Sequence, residues 1–548
     1  MEIAVKGHSG CKIDIVREGH DIFIYKSTKD KRYQSRLVKQ AKKQEVAAKE
    51  MYQHIRVPHI LNVTDDGTTV SVKMEYIYGK NFIEYFESAG FEQISFFINA
   101  LINYIEKELE SSVIEVIDSL QILTKFRDVK QNIESKKLLN SDAEIKQLLR
   151  ESEKRFCKYE KASIKLPIGR CHGDLTFSNI LFNGNNYYLI DFLDSFIESP
   201  LIDIVKLRQD SSFMWSQQLY IRPYDELRMR IISEKIDCEL NRYFHKYQWY
   251  DDYYDDFQLL NLLRVLQYAH EENVIDFLKT HIKEILGTKH AEPNDNDYYD
   301  LNCEDTNESS HDSFNLIIPA AGCNKNAKES MPYIFALDQA GYMLSIKSVM
   351  GLDLTPFDNI YFTILRKHSE LFGLEDLFKI QFKRLGWENA HVVILDEETN
   401  SQAETVYQTI IKEHIDGGIF IKDADGYFEG EILKENSVAV FPLDQLDIAD
   451  PKNKSYVAVD DMYFITNMIE KRLVSRFFNV GGSCFEDVKS FCRYYLKLSK
   501  KEKHLCVSHI IYSMLLDSFK FRPIMAKNYS DWGNIKLSNY HHLIAEAE

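Results

Sequence analysis

Cys171-His172-Gly173-Asp174-Leu175-Thr176-Phe177-Ser178-Asn179-Ile180-Leu181, followed after a short turn by Tyr187-Tyr188-Leu189-Ile190-Asp191-Phe192, is the most informative stretch of this chain. Phosphoryl transfer to an alcohol needs a carboxylate to accept the hydroxyl proton and ligands for the metal that bridges the phosphates. The stretch supplies all three. Asp174 is the candidate base, Asn179 a metal ligand on the same loop, and Asp191, at the end of an apolar run, a second ligand. A tight turn beside two strands with solvated carboxylates is the bland alternative, and seven typed positions at fixed spacing weigh against it.

His-Gly-Asp-x-x-x-x-Asn with a later Ile-Asp-Phe resembles the aminoglycoside phosphotransferase and choline kinase superfamily, a kinase-like fold acting on small molecules. The resemblance covers residues 1 to about 290. It implies a nucleotide-clamping lysine, for which Lys26 at the end of Ile22-Phe23-Ile24-Tyr25-Lys26 is the candidate, and an acidic partner on the helix expected over Arg36 to Tyr52. Glu45 is preferred there over Glu50. Gly7-His8-Ser9-Gly10 would turn over the phosphates through Gly7, Ser9 and Gly10, although a plain hairpin turn is nearly as good a reading. Met74-Glu75-Tyr76-Ile77 looks like the hinge for adenine, with Glu75 and Ile77 as contacts. Asp194 is either substrate-facing or a helix cap, and Asp203 structural. Tyr, Trp and Asp interleave from Tyr247 to Phe257, a candidate cage for a cation such as choline, with an ordinary acidic helix end as the plainer reading.

Working outward, short β-branched runs (Asp14–Val16, Asp21–Tyr25, Thr69–Met74) flank that helix within residues 1–90, and residues 91–290 carry mostly helical periodicity. This predicts a bilobal α+β kinase-like domain with a small strand-rich lobe and a larger helical one. The acidic, Asn- and Ser-rich stretch over 290–312 has no period and is expected to be a linker. Beyond it, strands at Phe314–Ile318, Asn359–Leu365, His391–Leu395 and Gly418–Ile421 alternate with helices at Leu374–Arg384 and Ser401–His414. That alternation predicts an α/β domain over 313–548 with a largely parallel sheet.

Phe314 to Gly322 is an apolar strand entering a small-residue loop, Ala320-Ala321-Gly322, whose N–H groups can cradle phosphates. It looks like the opening of the nucleotidyltransferases that activate sugar phosphates or phosphocholine, a GT-A/Rossmann-like fold, and the resemblance covers nearly all of 314–548. The family continues with Gly, Arg and Pro-Lys. Here Cys323 to Lys328 and then Met331-Pro332-Tyr333 follow, so Lys325 and Lys328 are the candidate replacement cations. Asp423 and Asp425 in Lys422-Asp423-Ala424-Asp425-Gly426 resemble the family's metal-binding aspartates, and Asp531 its second metal aspartate; Asp-x-Asp-Gly is also ordinary turn chemistry. Gln402 lies in the stretch resembling the base-reading loop. Glu470 and Lys471 resemble the pair that grips the acceptor, with a surface ion pair as an equal alternative.

Composition bounds these readings. Lys+Arg 67 against Asp+Glu 84 gives a net charge of −17 over 548 residues, so nucleic acid and anionic membranes have no overall electrostatic attraction and an anionic ligand needs a local cationic or metal-bearing pocket. Nine scattered cysteines without a C-x-x-C pair suit a reducing compartment. No apolar run approaches the roughly 20 residues that span a bilayer, and a cytoplasmic chain is expected. The combined expectation is a bifunctional enzyme. It phosphorylates a hydroxyl of a sugar or choline-like amino alcohol with ATP and Mg2+, then forms the NDP derivative from CTP or another NTP for surface polysaccharide synthesis. A kinase carrying a non-catalytic nucleotide-binding domain, or a GT-A glycosyltransferase domain, stays open as an alternative; oligomeric state does not follow from the sequence.

Overall fold

The computed structural model of the chain describes residues 3–6, 11–161, 163–287, 313–322, 331–445 and 454–532. Its contacts divide into two compact units, Met1–Glu87 with Ile94–Asn302, and Ser88–Gln93 with Cys303–Glu548. The stretch expected to be a linker lies wholly outside the described residues.

The first unit opens with β1 (Ile3–Lys6), β2 (Lys12–Glu18) and β3 (Asp21–Thr28), then helix α1 (Lys31–Ala47), β4 (Ile60–Asp65) and β5 (Val70–Glu75). The strands form one antiparallel sheet in the order β1-β2-β3-β5-β4. Val70 and Val72 of β5 pack with Leu37 and Ala41 of α1 and with Cys11 as the core of this lobe. Two expectations need adjusting. Lys26 does not end its strand but sits inside it, opposite Val72 of β5. The helix starts five residues earlier than periodicity suggested, because the Asp30 carboxylate caps it by accepting the Arg32 N–H, and it ends at Ala47.

The second lobe is helical: α2 (Phe91–Glu110), α3 (Leu120–Ser135), α4 (Ala143–Phe156), α5 (Pro200–Ser211), α6 (Glu226–Phe244), α7 (Gln248–Leu266) and α8 (Glu272–Gly287). Between α4 and α5 the chain makes the hairpin β6 (Ile180–Asn183) and β7 (Asn186–Leu189). Ser199 caps α5, with Pro200 at the first helical position, where its missing N–H costs nothing. This is the bilobal kinase-like α+β architecture the sequence predicts.

In the second unit, β8 (Phe314–Pro319), β9 (Asn359–Leu365), α9 (Leu374–Leu385), β10 (Ala390–Leu395), α10 (Gln402–Glu413) and β11 (Gly418–Lys422) build a parallel half-sheet in the order β10-β9-β8-β11. After β12 (Gly426–Glu429) the sheet continues through β13 (Ser437–Pro442), β14 (Ser455–Val459), β15 (Ile465–Glu470), β16 (Phe477–Phe485) and β17 (Arg522–Met525), while β18 (Lys527–Asp531) pairs with β12 as a separate two-stranded ladder. The sheet is mixed rather than largely parallel. β16 joins β11, β13 and β14 antiparallel, β14 pairs β15 antiparallel, and of these later strands β13 and β17 pair parallel. Periodicity reports that a strand is buried, not the direction of its neighbour. Leu316, Ile318, Phe362, Ile364, Phe420 and Phe478 fill the core.

Candidate active sites

In the first unit the loop from His172 to Asn179 is held by one face of α5. Asp203, Lys206 and Asp210 fall at i, i+3 and i+7 and so line one stripe of that helix. Asp203 accepts the N–H groups of His172 (2.6 Å) and Gly173 (2.8 Å), Lys206 pairs with Asp174 (Nζ to Oδ1, 3.0 Å), and Asp210 accepts the Phe177 N–H (2.6 Å). Gly173 has φ +87°, and a Cβ there would lie 2.2 Å from the Leu193 carbonyl oxygen, so only glycine fits where the loop crosses the segment after Asp191. His172 takes the Asp174 N–H on Nδ1 (3.2 Å), which assigns its proton to Nε2 and makes that atom the donor to the Ile190 carbonyl (2.8 Å). Burial drops its pKa to about 4, so the ring is a neutral spacer.

Asp174 is half-buried, and burial alone would raise its pKa, yet the Lys206 ammonium outweighs this and holds the carboxyl below its usual value. The Asn179 amide nitrogen donates to both the carbonyl (2.8 Å) and Oδ2 (3.1 Å) of Asp174. With that nitrogen committed, Oδ1 of Asn179 is the oxygen left to ligate. Asp191 has φ 64°, a left-handed conformation that Asp tolerates better than most residues, and it accepts from Lys26 Nζ at 2.6 Å. Burial opposes the charge on Lys26, but Asp191 overrides it and its pKa is raised. Asn179 and Asp191 therefore offer oxygen donors of the type Mg2+ takes.

Other expected positions separate from this cluster. Glu45 is 53% exposed and pairs with Lys49, while Glu50 pairs with Arg170, so neither reaches Lys26 by an ion pair. The inward face of α1 instead carries Gln40 and Gln44 with Leu37 and Ala41. Helical phase explains the miss: Glu45 follows Gln44 by about 100° of turn and so leaves the buried stripe of Leu37, Gln40, Gln44 and Ala47. Asp194 is held by Arg36 (3.0 Å) and Gln40 (3.3 Å). Glu75 accepts the His59 N–H (2.9 Å) where β5 ends, and Ile77 follows half-buried. Gly7, Ser9 and Gly10 lie outside the described residues. Two of the aromatics expected to form a cation cage are already engaged: Arg208 stands 4.4 Å from the Tyr254 ring centre and donates to the Tyr250 hydroxyl (2.5 Å). Lys206 went unnoticed in the sequence, although its i+3 spacing from Asp203 was a usable signal.

In the second unit the parallel strands β8, β9, β10 and β11 end at one edge, where α/β sheets bind ligands. Ala320, Ala321 and Gly322 leave β8 there. Ala320 N–H donates to Thr363 (2.8 Å), Ala321 is buried, and Gly322 bridges to Thr399 of the loop before α10. Gln402, the first residue of α10, donates to Asp423 after β11. Gly481, with φ +82°, lies under Asp423, whose carboxylate a Cβ would overlap at 2.5 Å. Burial and the adjacent Asp425 raise the pKa of Asp423.

Asp425 and Asp531, more than a hundred residues apart, are brought side by side by the β12–β18 ladder, in which Gly426 pairs with Asp531 and Trp532 N–H donates to the Asp425 carbonyl (2.9 Å). The Tyr333 hydroxyl donates to Asp425 (3.0 Å), and burial together with Asp425 and Asp531 raises its pKa. Lys454, which the sequence reading passed over, pairs with Asp531 and donates to the Tyr529 hydroxyl (2.8 Å). Glu470 accepts from Ser455 and Ser508, while Lys471 is exposed and gives its N–H to the Lys454 carbonyl (2.8 Å). No Glu470–Lys471 ion pair forms among the described residues. Lys325 and Lys328 lie outside the described residues.

The phosphotransferase enzyme family matches residues 122–228, the segment holding Asp174, Asn179, Asp191 and Lys206. No curated protein matches the sequence. Among solved structures, the chain is similar to the nucleoside-diphosphate-sugar pyrophosphorylase from Vibrio cholerae RC9 (14% identity over 42% of this chain and 100% of that chain, TM-score 0.34). It is also similar to the inositol-1-phosphate CTP transferase from T. maritima (16% identity, 43% and 96%, TM-score 0.33). A third is a thermostable mutant of aminoglycoside phosphotransferase APH(4)-Ia (10% identity, 53% and 96%, TM-score 0.36).

Proposed function

We propose that the first unit transfers the γ-phosphoryl group of ATP to a hydroxyl of a small metabolite and that the second unit joins a nucleotidyl group to the phosphate so formed. The observation that carries the first half is the α5 clamp. It fixes Asp174 by its backbone neighbours, by Lys206 and by Asn179, so that an ionised carboxylate waits at a set position. In the reaction the acceptor oxygen forms a bond to Pγ while the bond from Pγ to the β-phosphate bridging oxygen breaks. The hydroxyl proton passes to Asp174, and ADP leaves. Asn179 and Asp191 would hold Mg2+, which when bound spreads the phosphate charge. Lys26 reaches Asp191 from β3 and is placed to bind phosphate oxygens.

For the second unit the support is the convergence of Asp425 and Asp531, whose carboxylates suit a divalent ion. Ala320 to Gly322 would take the triphosphate and Gln402 the base side of an NTP, CTP among them. The two steps are consecutive chemistry, and a surface-polysaccharide precursor is one use of an NDP-activated product. One observation favours the alternative of a non-catalytic second unit: Lys454 already neutralises Asp531.

The test is an acceptor panel with ATP and magnesium scored for ADP, repeated with each NTP and scored for pyrophosphate. Asp174→Asn is expected to lower ADP formation by roughly 100- to 10,000-fold, the usual worth of a positioned base, with ATP binding kept. Near-normal turnover in that variant refutes the assignment of Asp174. ADP release without pyrophosphate from any NTP assigns the second unit to the non-catalytic reading.

A further inference from the structure

Within the first unit a cleft of about 530 Å³ opens between α1 and the segment that leads into the His172 loop. Lys39, Lys42, Lys43, Val46 and Ala47 line it at i, i+3, i+4, i+7 and i+8, so one face of α1 forms a whole wall. Tyr52, Ile168 and Phe192 line it as well, with Tyr104 and Glu108 of α2. None of Lys26, Asp174, Asn179, Asp191 or Lys206 is among the described residues that line it. The cleft backs onto them through Phe192, whose ring lies 4.2 Å from that of His172, and through Lys43, which donates to the Leu193 carbonyl (2.7 Å).

Close-packed interiors leave few voids larger than a water, whereas small-molecule sites run to roughly 300–1,000 Å³ with mostly apolar walls. Val46, Ala47, Tyr52, Tyr104, Ile168 and Phe192 give this cleft such a wall. Most of its charges are already matched. Glu108 accepts from the Tyr52 hydroxyl (2.5 Å) and from Arg170 Nε (3.2 Å). Glu198 accepts from Lys43 (2.6 Å) and from the Cys171 thiol (3.2 Å), and Asp194 from Arg36 (3.0 Å). Lys39 and Lys42 are the exceptions: both are exposed at the edge of the cleft, and neither side chain has an ion pair or hydrogen bond among the described residues. We infer that the cleft is a second small-molecule site that takes an anionic amphiphile, its carboxylate or phosphate at Lys39 and Lys42 and its apolar body against Val46, Ile168 and Phe192. A cation would meet two unmatched ammonium groups there, and a small inorganic anion would leave the apolar wall in water. The inference goes beyond the kinase reading and does not depend on it.

Calorimetric titration of the full chain with octyl phosphate, hexyl phosphate, octanoate, octanol and inorganic phosphate, each below any micellar concentration, tests this. Octyl phosphate or octanoate is expected to bind, and the two tell phosphate from carboxylate recognition. Octanol and inorganic phosphate, each lacking one half of the ligand, are expected to bind at least about 10-fold more weakly. Shortening octyl to hexyl phosphate is expected to cost roughly 10-fold, the worth of two buried methylenes. Replacing Lys39 and Lys42 together by Ala is expected to weaken octyl phosphate roughly 10-fold, as the loss of two solvent-edge ion pairs does, and to leave octanol unchanged. Val46→Trp fills the mouth from an exposed position and is expected to abolish binding of every probe. If that variant does not fold, the two exposed lysines decide the matter. A saturating ATP analogue with magnesium is expected to leave octyl phosphate bound as before. The inference is overturned if neither anion binds, if octyl phosphate binds no tighter than octanol, if the ATP analogue displaces it, or if its affinity is indifferent to the loss of the lysines.

Discussion

Lys206 Nζ lies 3.0 Å from Asp174 Oδ1, one turn along α5 from the carboxylate of Asp203 that holds the loop bearing Asp174. One helix face therefore sets both the position of the proposed base and its charge. Replacing Lys206 by Met is expected to lower kcat about 100-fold, the usual scale for removing a preorganised charge, while the KM for ATP changes little. The pH profile carries the sharper signature. Without the ammonium, burial is opposed only by the Asn179 amide and by His172, so the pKa of Asp174 rises and the acid limb of the rate profile moves to higher pH. A variant whose acid limb stays in place shows that Lys206 does not set the ionisation of Asp174.

Asp203→Asn tests the backbone clamp. Both carboxylate oxygens accept N–H groups, at 2.6 and 2.8 Å. An amide can present only one acceptor and turns its NH2 against the other donor, at a cost of about 1–3 kcal/mol for the unsatisfied group. A lowered melting temperature together with a lowered kcat is expected. Unchanged kcat in a destabilised protein makes Asp203 a stabilising residue that does not position the base.

His172 gives a pH dependence of stability. Its folded pKa of about 4 lies below the ordinary value of 6.5, so between those values the unfolded chain binds the proton and the folded one does not. Its contribution is full above pH 6.5 and is lost as pH falls towards 4, by about 3 kcal/mol in all. Asp203 and Asp210, raised by burial to about 7 and about 6, act in the opposite sense over an overlapping range. Denaturant midpoints of the wild type and of His172→Gln, compared from pH 7 to pH 4.5, isolate the histidine. The wild type is expected to lose the larger share, and parallel curves for the two proteins contradict the assignment.

In the second unit, Asp425→Ala or Asp531→Ala is expected to eliminate pyrophosphate release from NTP and a phosphorylated acceptor, with ADP formation by the first unit unchanged. Lys454→Ala discriminates further. If the ammonium stands where a metal is needed, its removal raises magnesium affinity. If it binds phosphate beside the metal, its removal raises the KM for NTP. A second unit that releases pyrophosphate normally with Asp425 and Asp531 both replaced has no metal site at these residues.

Local pattern was enough to single out the loop from His172 to Asn179, the run ending at Asp191, and the alternation of strand and helix after residue 313, because each depends on neighbours within a dozen residues. The tertiary structure decided what depends on distant partners or on helical phase. It placed Lys206 on Asp174 and Lys454 on Asp531, turned Glu45 to solvent, and set half the second sheet antiparallel. It also gave Tyr250 and Tyr254 to Arg208. A side chain's type and spacing constrain the chemistry it can perform, but its charge partner is chosen by packing: one residue of helix phase or one ladder register moves a carboxylate from a cleft to the surface. That is why Asp174, Asp425 and Asp531 could be named in advance while the cations that face them could not.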